Sequence, residues 1–98
     1  MIVFDEEALE DLERIVEFHL QRDPATTIND IRKIREAVLI LERHPEIGRL
    51  AQRGSPLREL VISHGRSGYV ALYEHSEPEG LVRVLAIRHQ REAGYHGR

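Results

Sequence analysis

The residues that follow the last apolar segment of the chain are the ones best suited to chemistry. Residues 81–87 are almost entirely apolar, which is typical of a strand buried on both faces. Side chains just past such a strand are held on a rigid support at the domain surface. Here they are guanidinium, imidazole, carboxylate and phenol groups, carried by Arg88, His89, Arg91, Glu92 and Tyr95. This combination suits an anionic partner or a proton transfer.

A ribonuclease that works without a metal ion is one hypothesis for this set. One group must deprotonate a ribose 2′-hydroxyl, another must protonate the leaving 5′-oxygen, and cations must stabilise the charge that grows on the phosphate. His89 or Glu92 is then the base, and Tyr95 or His89 is the acid. Arg88 or Arg91 holds the phosphate. In the competing structural hypothesis, Glu92 pairs with an arginine while Tyr95 packs against the sheet and anchors the tail.

A second polar cluster lies on the strand predicted from residues 57–62 and on the turn after it. It consists of Arg58, Glu59, His64 and Arg66. If neighbouring strands pair in antiparallel fashion, some of these side chains lie on the same rim of the sheet as Arg88. The alternative is a solvated edge strand whose charges prevent pairing with another chain.

The six histidines show no metal-binding pattern. A helical zinc site places two histidines at i and i+4, and no such pair occurs in the sequence. His19 lies on an apolar helical stripe, where we expect a packed, hydrogen-bonded core residue. We expect neither a metal ion nor another cofactor.

Length and composition limit the class of protein. Ninety-eight residues make a single domain, over residues 1–98, because there is no room for a second core. The absence of cysteine fits a reducing cytoplasm, and the acidic N-terminus lacks the features of a signal peptide. The longest apolar run with a helical pattern, residues 37–41, is too short to cross a bilayer. We therefore expect a soluble cytoplasmic protein.

The net charge of −3 conceals an asymmetry between the two halves of the chain. Residues 1–50 hold twelve acids and seven bases, whereas residues 51–98 hold five acids and seven bases. Nearly all the bases are arginine, which suits bidentate contacts with carboxylate or phosphate, although GC-rich coding explains the same bias. A pI of about 6.1 argues against a generic nucleic-acid binder.

The first half of the chain predicts a strand and a helical hairpin. A short apolar strand over residues 2–4 precedes a helix that Asp5 caps and that ends near residue 22. Asp23 and Pro24 give a strong start signal for a second helix, which ends before Pro45. The second helix carries an apolar stripe, formed by Ile28, Ile31, Ile34, Val38 and Leu41.

The second half predicts a sheet. After an irregular connection over residues 45–56, three strands over residues 57–62, 69–73 and 81–87 are joined by short turns, so they should pair as an antiparallel meander. The third strand is the most apolar, and we place it at the centre of the sheet. The helical hairpin packs on one sheet face and leaves the other open to a partner. We expect burial between hairpin and sheet for Leu12, Ile31, Val38, Leu72 and Leu85.

Several stretches of the sequence resemble the RelE/ParE family of bacterial toxins. They are the acidic first helix with Asp11-Leu12, HPEIGR over residues 44–49, LRELVISHGRSGYVALYEH over residues 57–75 and VLAIRHQREAGY over residues 84–95. The resemblance implies an α+β fold in which a short N-terminal strand and a helical hairpin pack on a mostly antiparallel four-stranded sheet (β-α-α-β-β-β). It also implies the toxin of a type II toxin–antitoxin pair, of the plasmid-stabilisation type, neutralised by a cognate antitoxin.

The family contains two mechanisms. RelE-like members cut mRNA in the ribosomal A site, whereas ParE-like members share the fold but poison DNA gyrase. Tyr95 occupies the RelE-like terminal tyrosine position, and His89 falls near an arginine of the RelE set. Val70, however, stands where RelE has an arginine, and the lysines of the preceding strand are absent because Lys33 lies on a helix. These departures and the acidic net charge favour the ParE-like interpretation.

The resulting prediction is a gyrase-binding toxin without catalytic residues. Its predicted binding residues are Arg58, Arg66, Arg88, His89, Arg91, Glu92 and Tyr95. The alternative is a RelE-like ribosome-dependent endoribonuclease, with a catalytic set of His89, Arg88, Arg91 and Tyr95. A third hypothesis is a degenerate homologue that only binds antitoxin. The expected partners are the antitoxin and gyrase, or the ribosome and its mRNA in the alternative, without a membrane. A homodimer and a hetero-oligomer with antitoxin both remain open.

Overall fold

A computed structural model describes residues 1–64, 67–92 and 94–95, and within them it contains five β-strands and two α-helices. The strands are β1 (Ile2–Phe4), β2 (Arg49–Leu50), β3 (Arg58–His64), β4 (Ser67–Ser76) and β5 (Leu81–His89). The helices are α1 (Glu6–Arg22) and α2 (Pro24–Leu39), and a 3-10 turn, Ile40–Glu42, follows α2. Arg66, one of the predicted binding residues, lies outside the described residues.

The helix boundaries follow local sequence signals. Asp5 has an extended backbone, with φ −66° and ψ 157°, and two glutamates occupy the first turn of α1, where the helix dipole favours negative charge. Pro24 begins α2 at a position where its missing N–H costs nothing. The predicted starts of both helices and the end of α1 are confirmed, whereas α2 ends at Leu39, several residues before Pro45. Neither Asp5 nor Asp23 makes a capping bond with its side chain. The Asp5 carboxylate instead accepts a hydrogen bond from Arg83 Nη1 at 3.0 Å.

The five strands of the described residues form one sheet in the order β1-β5-β4-β3-β2. β1 pairs with β5 in parallel, and the other pairs are antiparallel. The α+β class and the antiparallel meander are confirmed, and β2 adds a fifth strand to the four expected. β2 has only two residues, which are too few to show a strand period in the sequence. The prediction that the last strand is central is wrong: β5 is interior, but β4 holds the middle position because β2 extends the sheet beyond β3.

The two helices cover one face of this sheet, with α1 over β5 and α2 over β3. Alternate residues of β4 point toward the helices and are buried: Tyr69, Ala71 and Tyr73. The rest of the core is aliphatic and consists of Ala8, Ile15, Ile34, Val38, Leu41, Ile62, Val82, Val84 and Ile87. Neither of the described helices is long and apolar enough to cross a membrane.

The predicted burial between hairpin and sheet is confirmed only in part. Val38 is buried there. Leu72 is also buried, but it alternates with the core residues of β4 and therefore faces away from the helices. Leu12 and Leu85 are half-buried, and Ile31 is 37% exposed. The hydrophobic period thus predicted the helices and strands more reliably than it predicted which side chains are buried between them.

The buried stripe of α2 is rotated from the predicted one. Ile28 is 68% exposed, whereas Thr27 and Asp30 are buried. Both buried polar side chains have partners: the Thr27 hydroxyl donates to the Asp23 carbonyl at 2.9 Å, and Asp30 Oδ2 lies 3.4 Å from His19 Nδ1 of α1. This contact between the helices turns the Asp30 side of α2 inward, so Ile28 and Ile31 are exposed while Ile34 stays in the core.

A β-bulge in β5 determines which of its side chains face the helices. The register with β4 shifts between Leu72 and Tyr73, so that Leu85 is an extra residue. Val84 faces the helices before the bulge, and Ile87 faces them after it. The bulge therefore reverses the alternation for the polar residues at the end of β5.

Candidate functional site

The polar residues at the end of β5 divide between the two faces of the sheet. Arg88 pairs with Val70, which faces away from the helices, whereas His89 pairs with the core residue Tyr69. The sequence alone placed these side chains in one constellation. The structure separates them into an open-face cluster, defined as Glu59, Arg88 and Tyr95, and a cleft on the helix side.

Tyr95 anchors the C-terminal tail across the open face. Its hydroxyl donates a hydrogen bond to Glu59 Oε2 at 2.6 Å, and the Arg88 guanidinium lies 5.1 Å from the centre of its ring. Glu59 and Arg88 belong to the strands on either side of β4, so the ring crosses β4. Val70 and Leu72 of β4 are only 2% and 8% exposed although neither α1 nor α2 covers this face. Tyr95 therefore closes part of the face that the sequence left open.

The environment of Tyr95 keeps its phenol protonated. Burial raises the pKa of Tyr95 most, and its hydrogen bond to the carboxylate of Glu59 raises it further, against a smaller opposing effect of Arg88. A phenol with a raised pKa is a weaker acid. A catalytic acid works best when its pKa lies near the working pH, so the raised pKa makes Tyr95 poorly suited to that role. The contacts of Tyr95 agree with the structural hypothesis of a packed ring that anchors the tail.

Arg88 organises the turn that follows β5. Its Nη1 donates to the carbonyl oxygens of His89, Gln90 and Glu92 at 3.2, 3.3 and 3.1 Å. Its Nη2 lies 3.9 Å from Glu59 Oε2, and the side chain is only 15% exposed. These contacts commit the guanidinium to the protein's own backbone.

Arg58 holds the HPEIGR stretch in place. Its Nη1 donates to the carbonyl oxygens of Glu46 at 3.3 Å and Gly48 at 2.8 Å. The N–H of Gly48 donates in turn to the Tyr73 hydroxyl at 2.9 Å. A β-carbon on Gly48 would lie 2.6 Å from that hydroxyl oxygen, so only glycine allows this close approach. Arg58 and this glycine are thus explained by local packing.

The helix-side cleft lies between α1 and the end of β5 and has a volume of roughly 540 Å³. Its lining combines apolar, aromatic and basic side chains: Arg14, Ile15, Phe18, His19, Arg22, Tyr69, His89, Arg91 and Glu92. Glu92 forms an ion pair with Arg14 at 3.0 Å, which agrees with the structural hypothesis for this residue. Three of the predicted binding residues, His89, Arg91 and Glu92, are therefore in this cleft.

A chain of buried polar groups forms the inner wall of the cleft. His19 Nε2 is hydrogen-bonded to the Tyr69 hydroxyl, and His19 Nδ1 faces the carboxylate of Asp30. Burial, and then the charge of Asp30, raise the pKa of Tyr69 to about 12, so the phenol keeps its proton. The expectation that His19 is a packed and hydrogen-bonded residue is confirmed. This chain joins α1, α2 and β4, and it occupies both ring nitrogens of His19.

His89 presents a neutral imidazole beside this wall. Its ring contacts the Tyr69 ring edge to face, with the centroids 5.6 Å apart. Burial, and then the charge of Arg91, lower the pKa of His89, although Glu92 partly offsets this. His89 Nδ1 accepts the Arg91 N–H at 3.1 Å, so the single ring proton of the neutral form lies on Nε2.

Two functional features of the fold were missed from the sequence. Asp11 Oδ2 accepts the Ile87 N–H at 2.8 Å and links α1 to β5, which accounts for the acidic residue of the Asp11-Leu12 pair. Asp30 and Tyr69 were not selected as polar residues of a site. The signal for Asp30 was its helical spacing from Ile34 on one face of α2, but a partner on another helix cannot be read from one sequence.

Comparisons with known proteins identify the family from a sequence model and the fold from solved structures. A family model described as the ParE toxin of the type II toxin–antitoxin system, parDE, matches residues 2–94. The chromosomal ParDE TA system from P. aeruginosa is similar in structure, with a TM-score of 0.72 at 17% identity, over 88% of this chain and 90% of that one. A search of curated proteins gives no match.

Two RelE structures from E. coli are also similar. The intact RelBE toxin–antitoxin complex gives a TM-score of 0.59 at 22% identity, over 89% of this chain and 92% of that one. The isolated RelE toxin gives 0.62 at 20% identity, over 95% and 86%. At these identities the likeness concerns the fold, and it confirms the RelE/ParE-like architecture expected from the sequence.

Proposed function

The chain belongs to the ParE toxin family and is the toxin of a type II toxin–antitoxin system, and on that premise we propose that it arrests growth by binding DNA gyrase. In this proposal it is a binding protein and not a ribonuclease. The carboxyl end of β5 supplies the groups that contact the target, and no residue transfers a proton.

The separation of His89 from Tyr95 is the observation that carries this proposal. Cleavage of one phosphodiester requires its acid, its base and its cations around a single phosphorus atom. His89 lies in the cleft against α1, whereas Tyr95 lies on the other face of the sheet with Glu59. The predicted ribonuclease set therefore does not converge on one substrate.

Within the part of the chain that the structure describes, the arginine beside Tyr95 on the open face is not free to bind a phosphate. Arg88 is committed to three carbonyl oxygens of the following turn, and its neighbour on β4 is Val70. A protein that competes for RNA inside the ribosome relies on positive charge to displace counterions. The net charge of −3 works against such competition.

We also propose that a cognate antitoxin, encoded beside this chain, neutralises it. The hairpin exposes large apolar side chains, namely Leu9, Leu20, Ile28 and Leu39, and surfaces of this kind suit an amphipathic helix. Co-expression of the chain with the product of the adjacent reading frame tests this. We expect a complex of nanomolar or tighter affinity, and failure of any neighbouring product to co-purify would contradict the proposal.

Controlled induction of the chain tests the target. We expect DNA breakage and a DNA-damage response before protein synthesis falls, and we expect the purified chain to inhibit supercoiling by gyrase. Co-induction of the antitoxin is the control and should restore growth. Cleavage of ribosome-bound mRNA by the purified chain would overturn the proposal in favour of the RelE-like alternative. Antitoxin binding without growth arrest would identify a degenerate homologue.

A further inference from the structure

We infer that the helix-side cleft is the surface that contacts the target, and that it takes an acidic peptide segment in which a carboxylate side chain stands beside a bulky apolar one. The name of the target, DNA gyrase, rests on the proposed function. The chemistry of the ligand rests on the residues of the cleft alone.

The apolar part of the cleft has room for one large side chain. Ile15 is buried at its base, and Phe18 is 49% exposed at its rim. The Arg22 guanidinium lies 4.5 Å from the centre of the Phe18 ring, which places a cation directly beside an apolar surface. A single ligand side chain in this region can therefore contact an aliphatic, an aromatic and a cationic group.

Two guanidinium groups of the cleft are available to an anion. Arg14 is already paired with Glu92 at 3.0 Å and lies 3.5 Å from Asp11. In contrast, neither Arg22 nor Arg91 forms an ion pair with any described carboxylate, and both side chains are exposed. A guanidinium binds a carboxylate through two parallel hydrogen bonds, so these two arginines provide hydrogen-bond donors for one acidic side chain.

His89 adds a neutral donor to the same site. Because His89 Nδ1 accepts the Arg91 N–H, the remaining ring proton points from Nε2, and no described residue accepts it. The hydrogen-bonded chain of Asp30, His19 and Tyr69 fixes the wall against which His89 packs. A wall held in one arrangement reduces the entropy lost on binding.

The surroundings of the cleft favour a peptide over RNA. Glu10, Glu13 and Glu17 are exposed on α1 within about a turn of Arg14 or Phe18. A polyphosphate chain that reached Arg22 and Arg91 would run past these carboxylates and be repelled, and its affinity depends on many cations along its length. A peptide can carry a single carboxylate, which reaches the arginines without placing further negative charges beside the glutamates of α1.

Titration of the isotopically labelled full chain with two probes tests the ligand class. The probes are a capped Phe-Asp-Glu-Leu peptide and a short uridine-rich RNA. We expect the peptide to shift the NMR signals of Phe18, His89 and Arg91, and the RNA to leave them unchanged. The double variant Arg22→Ala/Arg91→Ala should lower the peptide affinity by about tenfold. The matched control Arg32→Ala/Arg53→Ala removes two exposed arginines elsewhere and should leave it unchanged.

Binding to purified gyrase and to the antitoxin completes the test. The cleft variant should bind gyrase about tenfold more weakly than the wild type, and it should bind the antitoxin with unchanged affinity. The inference is overturned if the peptide shifts residues elsewhere, if the peptide does not bind, or if the RNA occupies the cleft instead. If the peptide binds the cleft but the wild-type chain does not bind gyrase, the ligand class stands and the proposed function fails.

Discussion

Polar side chains in this fold replace backbone partners that the strands do not supply. β1 ends at Phe4, opposite Val84, so no strand lies beside β5 at Ile87 on that edge. Asp11 Oδ2 accepts the Ile87 N–H from α1 instead. Buried backbone groups without a partner cost free energy, so a carboxylate at this helix position is a structural requirement of the sheet.

We predict that Asp11→Ala destabilises the domain. The substitution leaves the Ile87 N–H buried without an acceptor, which costs about 1–3 kcal/mol in the free energy of unfolding. Asp11→Asn keeps a side-chain carbonyl oxygen of the same shape and should lose less. Urea denaturation of both variants measures the difference, and equal midpoints for the two would show that the hydrogen bond contributes little.

His89 should make stability depend on pH. Its pKa is lowered from 6.5 by burial and by the charge of Arg91, so below pH 6.5 the unfolded chain binds this proton more readily than the folded one. The contribution of His89 is therefore fully present above pH 6.5 and is lost as the pH falls toward the folded-state pKa. We expect His89→Gln to lose stability less steeply than the wild type in this interval. Thermal unfolding at several pH values checks it, and parallel profiles would contradict the assignment.

At the scale of the elements, one extra residue in β5 decides the composition of both surfaces. Without the bulge at Leu85, strict alternation from Val84 would turn Arg88 toward the helices and His89 away from them. With the bulge, His89 contacts Tyr69, and Arg88 contacts Tyr95. Nothing in an apolar run such as residues 81–87 signals a bulge, so the sequence could not separate the two clusters.

The bulge also gives a matched pair of stability predictions. Ile87 is fully buried under the helices, so Ile87→Ala should cost about 2–5 kcal/mol of unfolding free energy. Leu85 is half-buried at the bulge, so Leu85→Ala should cost clearly less, although the sequence predicted its burial between hairpin and sheet. Denaturant midpoints compare the two, and a larger loss for Leu85→Ala would show that the register is wrong.

Local signals predicted the elements, and long-range contacts decided their details. The Asp23-Pro24 start of α2 and the three-strand meander depend on neighbouring residues, and both were correct. The inward side of α2 depends on Asp30 meeting His19, so Ile28 and Ile31 of the predicted stripe are exposed, although Ile34, Val38 and Leu41 are buried as expected. The resemblance predicted the fold and the toxin family. Which side chains of the site lie on which face of the sheet could be learned only from the pairing of β5 with β4.

At the scale of the whole molecule, the two faces of the sheet differ in their contacts and in their exposed charge. The tail covers part of the open face through the hydrogen bond of Tyr95 to Glu59. The Arg88 guanidinium on this face donates hydrogen bonds to backbone carbonyl oxygens. On the helix side, Arg22 and Arg91 are exposed around an apolar cleft. The cleft thus combines exposed positive charge with an apolar surface, in a chain whose net charge is −3. Under the proposed function and the inference drawn from it, the cleft binds the target and the open face supports the fold.

The division predicts that Tyr95→Phe retains growth arrest. The substitution removes the hydrogen bond to Glu59 but keeps the ring under Arg88, so the tail stays anchored and the cleft on the other face is unchanged.

His89→Gln should also retain arrest, because glutamine keeps an N–H donor near the position of Nε2. If either residue transferred a proton, its loss would lower a cleavage rate by roughly 10²–10⁴-fold. Growth after induction, together with assays of DNA breakage and translation, measures both variants. Ribosome-bound mRNA that is cut by the wild type and left intact by Tyr95→Phe would show that the open face is catalytic.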